Sequence, residues 1–120
     1  MSKKENLDYK VQVEQEKEYT IKVRIGDGQD GDHNVFGTCP HDTIPENDNP
    51  EWISYLGVGS QIKGKTLYVS SATQNNNPNT NFVSVRVFIN GEQIKPLSGN
   101  YVLNVNENEI VYFNQKIDFV

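Results

Sequence analysis

Seven carboxylates fall between Gly26 and Glu51 (Asp27, Asp30, Asp32, Asp42, Glu46, Asp48 and Glu51), with no Lys or Arg among them. Setting these aside leaves nine of the sixteen acids against eleven Lys and Arg, so one stretch carries the negative field of a 120-residue chain of net charge −5. Hard cations take roughly six to eight oxygens from carboxylates, amides and backbone carbonyls, and glycine-rich segments let those oxygens converge. Asp27, Asp30, Asp32 and Asn34, in GDGQDGDHN, offer such oxygens close together, and Ca²⁺ is the cation this chemistry fits. Asp30-x-Asp32-x-Asn34 opens like a helix-flanked calcium loop, but Val35 stands where that loop needs glycine. The plainer account is a solvated acidic run.

The same stretch holds both histidines and the sole cysteine. His33, Cys39, His41 and Asp42 supply imidazole, thiolate and carboxylate, the donors zinc selects, although no paired-cysteine or paired-histidine spacing is present. A cation held by His33, His41 and an acid would activate water for hydrolysis. A nucleophilic Cys39 would need an imidazole within hydrogen-bond reach and an oxyanion site beside it. Gly26-x-Gly28-x-x-Gly31 has the literal spacing of a dinucleotide loop, but it follows an antiparallel-type strand and precedes no helical pattern. Phe36, Trp52 and Tyr55 are the aromatic candidates for contact with a partner or a sugar, against the commoner use of a lone Trp as a core plug.

Strands must position these groups. Val83, Val85, Val87 and Ile89 alternate with Ser84 and Arg86, and Asn90-Gly91 has the residue types of a two-residue type I′ turn. That turn predicts Ile89 opposite Glu92 and Val87 opposite Ile94. Similar alternation marks Tyr9 to Val13, Tyr19 to Ile25, Leu67 to Ser71 and Tyr101 to Val105, with returns at Ile110 to Phe113 and Ile117 to Val120. Glu51 to Val58 reads as a short strand or a helical turn, and Asn75 to Asn81 as a plain hydrophilic connection. Residues 1–8 read as frayed. Residues 26–50, broken by glycine and three prolines, read as one long acidic loop without strand or helix.

The fold expected is all-β: a single domain over 1–120, an antiparallel β-sandwich, immunoglobulin-like or similar, of about 7 to 9 short strands, with a small β-barrel as the alternative sharing the same pattern. The acidic balance argues against nucleic acid as a partner, and no apolar run reaches the ~18 residues that membrane insertion of a helix needs. One cysteine permits no disulfide within the chain, and MSKKENLDYK is followed by no apolar core, so the expected compartment is cytoplasmic if Met1 is the natural start. These observations lead to a non-catalytic binding or structural module, with the Gly26–Glu51 loop as its interaction or Ca²⁺-binding surface and a protein partner or assembly as its context. Two alternatives stand beside it: a metal-dependent hydrolytic enzyme using His33, His41 and the loop acids, and a β-sandwich subunit that joins a larger assembly through an edge strand such as Ile117 to Val120.

Overall fold

The alternating segments pair into two sheets that bury their apolar phases against each other. The computed structural model describes residues 2–43 and 51–120. In chain order these form β1 (Ser2–Val11), β2 (Glu18–Ile25), β3 (Asp30–Gly37), β4 (Asp42–Thr43), β5 (Glu51–Val58), a helical turn α1 (Gly59–Ile62), β6 (Thr66–Gln74), β7 (Phe82–Ile89), β8 (Glu92–Ile94), β9 (Val102–Asn104) and β10 (Ile110–Phe119). The four-stranded sheet has the order β1-β10-β6-β3, and the six-stranded sheet β4-β5-β2-β7-β8 with β9 also on β7. Pairing is antiparallel except between β1 and β10, which run parallel. The β3-β6-β10 and β2-β5-β4 orders are those of the C-F-G and B-E-D strands of an immunoglobulin sandwich. The segment β7 to β9 follows β6 and precedes β10 in the chain, and β7 pairs with the edge of β2 that β5 leaves open.

The core is drawn evenly from both sheets. Leu7, Leu67, Val111, Phe113 and Ile117 on one side and Ile21, Val23, Val83, Val85 and Val87 on the other are all at most 1% exposed. Each such side chain stabilises the fold by about 1.5–3 kcal/mol relative to exposure. The hairpin has the predicted register, Ile89 opposite Glu92 and Val87 opposite Ile94. Asn90 and Gly91 have φ of 50° and 82°, as a type I′ turn requires. Asn90 also ties the turn to β2, accepting from Thr20 N at 2.9 Å and donating to Glu18 O at 3.1 Å.

Several expectations are corrected. Residues 2–8 are not frayed, because β1 pairs with β10 residue by residue from Ser2↔Ile110 to Val11↔Phe119. Ile110 and Phe119 bound one strand, hydrogen-bonded to β1 on one side and β6 on the other, so Ile117 to Val120 offers no free edge. The acidic stretch is not one loop: Asp30–Gly37 is a full strand on the edge of β6. An edge position tolerates Gly, Asp and Asn, which central strands disfavour, and Val35 turns inward against the core. Glu51–Val58 is a strand, and the helical turn follows it. Pro45, Glu46 and Asp48 lie outside the described residues.

The asparagine-rich connection is built into one end of the sandwich. Gln29 is 2% exposed and Asn75 1%. Gln29 Nε2 donates to Asn75 Oδ1 (3.0 Å) and Phe82 O (3.1 Å), while its Oε1 accepts from the amides of Asn76 and Asn77 at 3.0 and 2.9 Å. Asn75 Nδ2 donates to Asn81 Oδ1, Val105 O and Asn106 O at 3.1–3.2 Å. Two amides thus join the β2–β3 turn, the β6–β7 connection and the β9–β10 connection. Removing one of them strands several buried partners, so Gln29→Ala should lower unfolding free energy by about 2–3 kcal/mol in urea titration. Asn79→Ala, at an exposed site in the same connection, should stay within about 0.5 kcal/mol of the parent. Equal effects from the two substitutions would show that the buried amides do not hold this end.

Candidate functional site

The wet phase of the four-stranded sheet forms an ordered face. Cross-strand register places Asp8, Lys116, Tyr68 and Phe36 in one row, Asn6, Asn114, Ser70 and Asn34 in the next, and Lys4, Tyr112, Ala72 and Asp32 beyond that. Phe36 and Tyr68 stack with ring centroids 5.2 Å apart and planes 13° from parallel. Phe36 is nevertheless 53% exposed and Tyr68 36%. The polar row is linked within itself: Ser70 Oγ donates to Asn114 Oδ1 at 3.0 Å and Asn114 Nδ2 to Asn6 Oδ1 at 3.3 Å. Between the stacked rings and these polar side chains lies a groove of about 370 Å³, lined by Asn6, Asp8, Phe36, Tyr68, Ser70, Asn114 and Lys116 among others. Four strands position it, and period-two geometry aims every one of these side chains outward.

Of the residues singled out in the sequence, Phe36 belongs to this groove and Asn34 to the adjoining row. Asp30, Asp32 and Asn34 occupy successive outward positions on β3. Alternate positions on a strand lie ~6.6 Å apart, so these three do not converge as loop ligands would. Asp27 sits in the β2–β3 turn at φ 58°. Among the described residues no group of three or more His, Cys, Asp or Glu is arranged to hold a metal ion. Trp52 is a core residue, 3% exposed, and its Nε1 has no hydrogen-bond partner among the described residues. Tyr55 is exposed on the other sheet and donates to Glu18 Oε1 at 3.3 Å. His33 faces inward, with Nδ1 2.7 Å from Ser71 Oγ, whereas His41 lies against Cys39 O (3.0 Å) and edge-on to Trp52.

Ser71 and Cys39 are both buried side chains with nucleophilic chemistry. Ser71 is fully buried, and its hydroxyl meets His33 on one side and the Gln115 amide, 3.1 Å away, on the other. Burial pushes the Cys39 thiol up from 9.0 to about 11, with Lys65 pulling partly the other way. Its thiolate population at neutral pH is therefore small. Burial, together with Tyr101, also raises the Tyr9 hydroxyl above the ordinary phenol range.

Further depressions are present among the described residues. One of about 370 Å³ lies beside Arg24, Asp27 and Arg86. The two guanidiniums are opposite in register but splayed, Arg24 toward Glu51 (3.6 Å) and Arg86 toward Ser84 Oγ (2.8 Å) and the Tyr101 ring, so they do not form a fork for one anion. Another of about 610 Å³ opens between β1 and the β7–β8 hairpin over Val11, Tyr19 and Ile89, with Lys10, Glu14, Lys17 and Glu92 at its rim. No helix among the described residues is long and apolar enough to cross a membrane.

Sequence reading missed Tyr68, Lys116, Asn6 and Asn114. Tyr68 carried a signal, because it is an aromatic at the wet phase of a clean alternation, as is Tyr112. Asn6 and Asn114 carried none, since they meet only through the parallel pairing of the two ends of the chain. Comparison of the chain with family models, with curated proteins and with solved structures finds no match.

The thiol yields a pH prediction. Below pH 9.0 the folded and unfolded chains both keep the Cys39 proton. Above that the unfolded chain ionises first, so stability should fall as pH climbs from 9.0 toward about 11. Tyr9 acts in the same direction at higher pH. Cys39 should react slowly with a disulfide reagent at pH 8 and fast in denaturant. Rapid native-state labelling at that pH would show an accessible, activated thiol instead.

Proposed function

We propose that this protein is a non-catalytic binding module whose ligand surface is the groove on the outer face of the four-stranded sheet. The observation that carries the reading is the exposed Phe36–Tyr68 stack beside a pre-linked row of polar side chains. Single exposed hydrophobic residues are ordinary, but two aromatic rings packed on each other and facing a concavity are a surface ready to be covered. The central strands favour binding further, because β10 and β6 are hydrogen-bonded on both sides and hold Tyr68, Ser70, Asn114 and Lys116 at a reduced ordering cost. The reading also keeps part of the acidic stretch in the functional surface, since β3 delivers Phe36.

Fragment screening by ¹H–¹⁵N NMR tests it. Fragments should shift the amides around Asn6, Ser70, Asn114 and Lys116, and the double substitution Phe36→Ala, Tyr68→Ala should abolish those shifts while moving Tm by only a few degrees. Fragments that gather instead around Ile53 and Tyr55, the exposed apolar residues of β5, would place the binding surface on the other sheet and contradict the proposal.

A further inference from the structure

We infer that the groove's ligand is a neutral glycan, an inference that rests on the binding-module reading above. The charge on this face fits a neutral ligand. The outward positions of the four strands carry Asp8, Asp30, Asp32 and Asp118 against Lys4, Lys10 and Lys116, and inside the groove Asp8 and Lys116 stand directly opposite each other. A chain of net charge −5 therefore presents a nearly balanced face here. Phosphorylated or sulfated ligands would need an excess of cations, which the face lacks.

The functional groups of the groove pair with those of a sugar. Sugars present a C–H face together with hydroxyls that each donate and accept. An aromatic ring packs against the first. Amide, carboxylate and ammonium groups meet the second, and Asn114 and Asn6 each bring an oxygen and an NH₂. The Ser70–Asn114–Asn6 row is already hydrogen-bonded, so its side chains are held in place before a ligand arrives. An apolar peptide segment would leave this polar row covered and incompletely satisfied, at a cost for each group.

The extent of the face suits a linear chain. The rows run across the strands, from β1 through β10 and β6 to β3. Neighbouring strands are about 4.8 Å apart, close to the length one pyranose adds to a chain, so a linear glycan lying along a row meets one strand per sugar. Tyr112, two rows from the stacked pair and 36% exposed, gives the same face another exposed ring.

The test is NMR titration of the full chain with millimolar neutral oligosaccharides, each a hexamer (cello-, xylo-, manno-, malto- and chito-series, the last N-acetylated), with hexagalacturonate and a heparin hexasaccharide as charged controls. At least one neutral hexamer should shift the groove amides, and Tyr68→Ala should weaken that binding roughly tenfold or more, with Tyr68→Phe restoring most of it. Asn114→Ala should weaken it without changing the fold, as judged by the unperturbed spectrum of β2 and β5. Absence of binding by every neutral hexamer, or tighter binding of the charged controls at the groove, overturns the glycan inference; fragments that still map to the groove would leave the binding-module reading standing. A neutral hexamer that shifts only amides near Arg24 and Arg86 overturns both.

Discussion

Strand β10 is the element on which the other parts depend, because its two edges and its two faces are all in use. One edge pairs parallel with β1 and the other antiparallel with β6. Its inward residues Val111, Phe113, Ile117 and Phe119 are core, and its outward Asn114 and Lys116 lie in the groove. A slip of one residue would exchange these faces, placing phenylalanine in water and asparagine in the core. The same hydrogen-bond ladder that closes the fold therefore sets the order of the surface rows. It also joins residues about a hundred positions apart, Ser2 to Ile110 and onward. Such pairing is costly in loop closure and makes slow folding the expectation.

The buried amides inside the sandwich are grouped with their partners into two local networks, while Trp52 Nε1 and the Tyr9 hydroxyl are buried without a hydrogen-bond partner among the described residues. Gln29 uses both of its amide hydrogens and accepts two bonds, and Asn75 binds three separate segments. Gln115, Ser71 and His33 form a second chain between the sheets. A buried amide contributes little net stability when satisfied but costs much when a partner is lost, so these networks act mainly on uniqueness of arrangement. That uniqueness matters for the outer face, since Gln115 and Ser71 alternate along β10 and β6 with the outward Asn114 and Ser70.

What the sequence made legible follows the range of the interactions involved. The β7–β8 hairpin could be read to the residue because Asn90-Gly91 and the flanking valines decide it locally. The sandwich class followed from alternation and turn spacing alone. β3 was hidden because Gly, Asp and Asn read as loop formers, while the partner that makes a strand of them, β6, lies some forty residues away. Residues 2–8 looked frayed for the same reason, their partner being the far end of the chain. Phe36 was singled out from the sequence and does line the groove, whereas Tyr68, though at a wet strand position, was passed over. Trp52 misled as an interaction candidate because a large ring near a polar stretch reads the same whether it caps the core or faces out; here it is buried.

If β10 holds core and groove in one register, its amides should open only when the whole protein unfolds. Native-state hydrogen exchange read by NMR measures this directly. Amides of residues 113–117 should exchange with the free energy of global unfolding, whereas the outer edge of β3 should exchange by local opening. Exchange from β10 that is faster than from the β2–β7 pair, or that ignores global destabilisation by denaturant, would contradict the account and leave the groove without the rigid backing on which its proposed role depends.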